Sequence, residues 1–211
     1  RKGNDMTICT VTTVMPHQGK YSLCLQNMLE NNEYWKSLGN DCSVNKELFG
    51  ATAGSLSWVS MYENFSDATA KIESGWEDSG FKKIIRRIQT NPASDIILPM
   101  NMLRKVYGEL DDSYKFTLFR LYNMKRNKLS EALEMIPQVA KMGEKMNVNV
   151  TAWVPVTGEN MSRVMVGYGS KTFKEVGQSF DSIGMSDEFQ KIVSKAADLG
   201  HLESAWIVGW Y

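Results

Sequence analysis

The chain is poor in the residues that most often carry out chemistry. Two histidines in 211 residues, His17 and His201, leave little for a zinc site built from protein side chains. The three cysteines, Cys9, Cys24 and Cys42, are odd in number, lack C-x-x-C spacing and have no histidine neighbours, so they read as reduced, partly buried thiols. No metal site is expected. Charge of one sign is also missing: 24 basic side chains balance 24 acidic ones, which leaves no global field to draw phosphate backbones or anionic lipid. Nucleic acid is therefore not an expected partner. No stretch approaches the run of about 20 apolar residues that spans a bilayer, so no membrane partner is expected either. The opening RKGNDMTICT lacks the apolar centre of a signal peptide. A cytoplasmic location is the expectation, and a leader removed ahead of Arg1 is compatible with the same sequence.

What is present is enough to fold, since 43% of the residues are apolar and 23% charged, the balance of a chain with a real core. The chain also repeats itself. FSDATAKIESGWEDSGFKKII, from Phe65, has a counterpart in FKEVGQSFDSIGMSDEFQKIV, from Phe173. A single offset of 108 residues carries Phe65 onto Phe173 and Phe81 onto Phe189, and also Lys20 onto Lys128, Leu25 onto Leu133, Gly50 onto Gly158 and Lys83 onto Lys191. The matches are few but span the whole length without a gap.

Each half resolves into the same series of elements. TICTVTTV and KFTLFRLY are rich in β-branched and aromatic residues and predict strands. Tyr21, Leu25 and Met28, like Leu129, Leu133, Ile136 and Ala140, recur at helical steps; Pro137 should kink or break the second of these helices. CSVNKELFG and VTAWVPVTG each end in a glycine suited to a turn, and SLSWVSMY and SRVMVGYG predict further strands. The Phe65 and Phe173 segments then predict helices, with Ser186 as an N-cap, and DIILPMNML and SAWIVGWY complete each half as β-α-β-β-α-β. The expected boundaries are a first repeat over 6–103, a charged linker over 104–114 and a second repeat over 115–211.

A four-stranded sheet with two helices on one face leaves the other face bare. FTLFRLY and AWIVGWY carry large apolar groups at both parities, as in a sheet covered on both sides. The expected fold class is therefore α+β, with two ferredoxin-like βαββαβ repeats packed sheet to sheet as a pseudo-dimeric α+β barrel within one chain. The molecule could serve as a monomer or build a higher homo-oligomer.

In element order, duplication and the Phe-centred helix segments, the chain resembles the dimeric α+β barrel superfamily, including antibiotic-biosynthesis-type monooxygenases, stress-responsive barrel proteins and NIPSNAP-type proteins. The resemblance covers Met6 to Tyr211. It implies a ligand cleft between sheet and helices in each unit. Haem-degrading members place a histidine on the second helix, where this chain has Gly75 and Trp76 or Ile183 and Gly184. No cofactor is therefore expected. Cofactor-independent oxygenases of the superfamily hold phenols or quinones with Asn, Trp and often His, and comparable candidates here are His17 and Asn123 as catalytic groups, with Tyr21, Trp58 and Trp76 around the ligand. A histidine can take a proton near pH 7 and an asparagine can donate to a developing oxyanion; for His17 a solvated loop residue beside Pro16 is the plainer reading.

Other residues have two readings each. Trp58, Trp76, Trp153, Trp206 and Trp210 could line an aromatic pocket or simply fill a wide core. Trp76, in the polar, glycine-flanked ESGWEDSG, is expected on a loop as a lid or anchor. Arg120 interrupts an apolar strand and needs either an internal ion pair or a ligand anion. Tyr168, like Arg120 a candidate ligand contact, lies in VGYGSKTF, which looks similar to the third-strand signature of RNA-recognition motifs but lacks its leading basic residue and has Ser170 where a stacking aromatic belongs. The function expected is binding of a small apolar or aromatic molecule in a sheet–helix cleft; the alternative is a cofactor-independent or haem-associated monooxygenase acting on a phenolic or quinone-like substrate.

Overall fold

The computed structural model describes residues 7–211. The fold class is α+β, built from two ferredoxin-like βαββαβ units. The first comprises β1 (Ile8–Pro16), α1 (Tyr21–Ser37), β2 (Asp41–Phe49), β3 (Leu56–Tyr62), α2 (Phe65–Glu77), α3 (Ser79–Thr90) and β4 (Ser94–Tyr107). The second comprises β5 (Phe116–Met124), α4 (Leu129–Glu144), β6 (Asn149–Pro155), β7 (Arg163–Ser170), α5 (Phe173–Ser179), a π-helical turn (Phe180–Gly184), α6 (Asp187–Ala197) and β8 (Gly200–Trp210). The 108-residue offset holds in three dimensions: it lays β1 onto β5 end to end and brings the first residues of α1, β2, α2 and α3 onto those of α4, β6, α5 and α6.

In the first unit β1 pairs antiparallel with both β3 and β4, and β3 with β2, giving the strand order 4-1-3-2. In the second unit β5 pairs with β7 and β8, and β7 with β6, the same order. The chain folds as two compact units, the first ending its main run at Arg104 and the second running from Lys105 to Gly209; residues 48–51 belong to the second and 210–211 to the first. β4 continues through Tyr107, three residues beyond Arg104 and into the charged stretch expected as linker.

Local chemistry sets the helix ends. Asn64 caps α2 by accepting from the Asp67 amide at 2.9 Å, and Asp78 ends α2 while capping α3 through the Phe81 amide at 2.7 Å. Thr172 and Glu175 form a reciprocal capping box on α5, and Ser186 caps α6 ahead of Asp187 and Glu188. Trp76, expected on a loop, lies in the last turn of α2, because Asp78 rather than Gly75 stops the helix. α4 is not broken at Pro137. Ala132, Met135, Ile136 and Ala140 are buried on both sides of the proline, so packing holds the helix where the lost backbone hydrogen bond would release it. Gly50 and its counterpart Gly158 both turn at positive φ, 145° and 129°.

The second unit's core is a valine-rich face of β6 and β7 (Val150, Ala152, Val164, Val166) closed by α4. At its border Arg163 and Glu203 form a two-pronged ion pair, Nε donating at 2.7 Å, with both side chains about one-third exposed. The Arg163 hydrogen bonds hold the Glu203 carboxyl below its ordinary range. A lowered carboxyl pKa adds stability that is present above the unfolded value and lost as pH falls through the folded one. Glu203→Gln should therefore lower stability at pH 7 by no more than about 1 kcal/mol, given solvent screening. In thermal melts the difference from the parent should shrink and vanish as the pH is taken below the ordinary carboxyl range.

Candidate functional site

A sheet face and the helices above it enclose a gap that side chains must fill. In the first unit they do. Trp35, on the inner face of α1, is 3% exposed and meets Trp58 of β3 edge to face at 5.9 Å and Phe81 of α3 at 5.2 Å. Trp58 in turn lies 6.4 Å from Phe81 and donates Nε1–H to Asn32 Oδ1 at 3.2 Å. Gly75 makes room for this cluster, because a Cβ there would overlap the Trp35 ring.

The offset assigns Gly143 to the place of Trp35, Val166 to that of Trp58 and Phe189 to that of Phe81. Both indoles of the first unit's cluster are thus replaced in the second unit, which carries a small cleft of about 40 Å³. Its floor is Leu118 and Arg120 of β5 and Tyr168 of β7; Val139 and Gly143 of α4 form one wall; Ser179, Phe180, Ile183 and Gly184, mostly from the π turn, form the other, with Phe189 of α6. π turns replace regular helix frequently at functional sites. Here the turn stands where the first unit continues α2 as a regular helix.

Arg120 pairs in register with Val166, and Leu118 with Tyr168. The Arg120 guanidinium lies 5.7 Å over the Phe189 ring, and its Nε is buried without a hydrogen-bond partner. Burial, and then the neighbouring Tyr122, push the Tyr168 phenol far above its ordinary range, with Arg120 opposing. The Tyr168 hydroxyl accordingly stays protonated at neutral pH and can donate a hydrogen bond.

The structure thus brings together two of the candidate residues, Arg120 and Tyr168. The others stand elsewhere. His17 follows β1 and its Nε2 meets Asp95 Oδ1 at 3.1 Å near the surface. Tyr21 opens α1, with its hydroxyl 2.8 Å from that of Tyr211 and Lys46 over its ring. Trp58 belongs to the filled cluster, and Trp76 is 61% exposed. Asn123 is three residues beyond Arg120 on β5, hence on the opposite face of the sheet, across from Arg163 and His201. Trp153 is buried, and Trp206 packs on Phe119 at 5.5 Å. Val139, Gly143, Phe180 and Phe189 lay outside the expected site; the signal that locates them is the Trp35-to-Gly143 exchange at constant offset.

The cysteines are free and buried, and burial pushes Cys9 up to about 12 and Cys42 up to about 11, which keeps both thiols protonated and weakly nucleophilic. Among the described residues no cluster of three His, Cys, Asp or Glu side chains could hold a metal ion, and no helix is long and apolar enough to cross a membrane. The cleft lining does not fit haem in the manner the resemblance implies, since it offers neither imidazole nor thiolate and Ile183 and Gly184 stand where the ligand histidine is expected.

No protein-family model and no curated protein matches the chain. Solved structures do. A candidate monooxygenase from Fusobacterium nucleatum superposes over 98% of this chain and 95% of its own, with 10% identity and a TM-score of 0.68. An anthrone oxidase-like protein covers 99% and 92%, also with 10% identity and a TM-score of 0.68. A chlorite dismutase variant from Candidatus Nitrospira defluvii covers 99% and 92% with 8% identity and a TM-score of 0.54. These similarities show a shared fold over essentially the whole chain.

Because Trp35 fills the first unit, Trp35→Ala should cost about 3–5 kcal/mol in denaturant unfolding. Gly75→Ala should cost about 1–3 kcal/mol through overpacking. Gly184→Ala, whose new Cβ would meet only Phe180 at an ordinary 3.6 Å, should be close to neutral.

Proposed function

We propose that the protein binds a small apolar or aromatic molecule in the sheet–helix cleft of its second unit. The observation that carries this reading is the contrast between two copies of one architecture. Where the first places Trp35 and Trp58, the second places Gly143 and Val166 and keeps an open space lined by Leu118, Val139, Phe180, Ile183 and Phe189. An unfilled apolar cavity costs stability.

A second reading has support in the names of the structural neighbours, two of which are described as a candidate monooxygenase and as anthrone oxidase-like. In this reading the ligand is a phenol or quinol that is oxidised in the cleft. Arg120 would favour its phenolate, while Tyr168, held protonated, would not accept the proton. His17, after β1 in the first unit, and Asn123, on β5 in the second, remain the proposed alternatives for proton transfer and oxyanion contact, each apart from this cleft. Oxygen uptake with a panel of quinols, compared between the parent and His17→Ala, tests that assignment.

The binding reading is tested with a neutral flat probe, 2-naphthamide, followed by saturation-transfer NMR and calorimetry. The parent should bind it. Val139→Phe, which narrows the cleft wall, should weaken binding at least about tenfold, the loss of one to two kcal/mol of apolar contact, while melting within a few degrees of the parent. No binding by the parent, or binding that Val139→Phe leaves unchanged, would reject the site.

A further inference from the structure

The chemistry of the cleft floor also specifies the ligand's charge. Arg120 is on the helix-facing side of β5, where its strand neighbours Leu118 and Tyr122 and the facing Val164 and Val166 supply an apolar surface. A cation there carries a desolvation cost that an ion pair ordinarily offsets. The charged pairs of this unit lie elsewhere: Arg163 with Glu203, Lys128 with Glu131 and Lys105 with Glu109. Among the described residues no carboxylate pairs with Arg120. The groups facing it are the Phe189 ring, whose cation–π attraction offers no acceptor, and the Tyr168 and Tyr122 phenols, which burial keeps uncharged in the case of Tyr168. Its Nε is buried and unpartnered.

The fold does not require an arginine at this point. The equivalent residue of the first unit is Thr12, on β1 beside Trp58, and there the gap is filled. Cation and open space occur together in one unit and are absent together from the other. We infer that the ligand is an aromatic carboxylic acid, its flat apolar body against Leu118, Val139, Phe180 and Ile183 and its carboxylate on the Arg120 guanidinium, with the Tyr168 hydroxyl as a second donor. A single guanidinium neutralises one negative charge, and its fork of N–H donors matches the two oxygens of a carboxylate. This assignment rests on the cleft being the binding site.

Affinities of 2-naphthoate and 2-naphthamide, alike in shape and different in charge, decide the matter at pH 7 in the full-length protein. Naphthoate should bind roughly ten- to a hundredfold more tightly than the amide, the range expected of a hydrogen bond to a charged group. Arg120→Met should abolish that preference while keeping amide binding, and Arg120→Lys should restore part of it. In the parent, the Arg120 Nε–Hε resonance should shift with naphthoate and not with the amide. That measurement stands even if Arg120→Met fails to fold. Equal affinity for the two probes, or a preference that survives in Arg120→Met, would overturn the charge assignment and leave the apolar cleft intact. Failure of both probes to bind would remove the cleft itself.

Discussion

The packing constraint on which the rest of this structure depends lies beneath the first helix of each unit. The separation between a sheet and its covering helices is set by backbone geometry, so whatever stands at the inner face of that helix decides whether the interior is solid. An indole at residue 35 makes it solid, with Trp58 and Phe81 completing a three-ring cluster and Gly75 ceding the space. At residue 143 a glycine takes the equivalent place, close against Val148 and Val150, and a small cleft lies beside it. Dense interiors tolerate few voids, and the valines of β6 and β7 with the buried face of α4 provide the cohesion that keeps the second unit folded around one.

Electrostatics follows from that void. A guanidinium on the apolar face of a packed sheet would be strongly unfavourable, whereas beside an open cleft its outer atoms can remain in contact with water or with a bound anion. Phe189, retained from the repeat, covers one side of it. The Tyr168 phenol stands where the first unit has Ser60 and Arg120 where it has Thr12, so larger polar side chains accompany the loss of the two indoles. The site thus arises from a few exchanges on an unchanged scaffold, in keeping with the way one fold hosts many functions.

Much of the architecture was legible in the residues. Strand-forming runs such as TICTVTTV and KFTLFRLY, the helical stripes of Leu25 and Leu133 and the constant offset all reflect local chemistry that tertiary structure reinforces. Element ends were less legible: Trp76 falls inside α2 because the stop signal is a side-chain cap three residues after Gly75, and Pro137 is carried within α4 by burial of its neighbours. The cleft was legible only in part. Arg120 was marked by being a charge in an apolar strand, which is a local anomaly. The open space is not local, since it depends on what the opposing element lacks. The aromatic wealth of the first half pointed to a pocket around Trp58, yet those same rings fill the volume a ligand would need.

One consequence follows from the gapless correspondence of the halves. Mutations in a ligand site generally trade stability against activity. Here the two demands rest on different copies of one plan. Residues of the π turn can diversify toward new ligands without touching the aromatic cluster that fills the other copy.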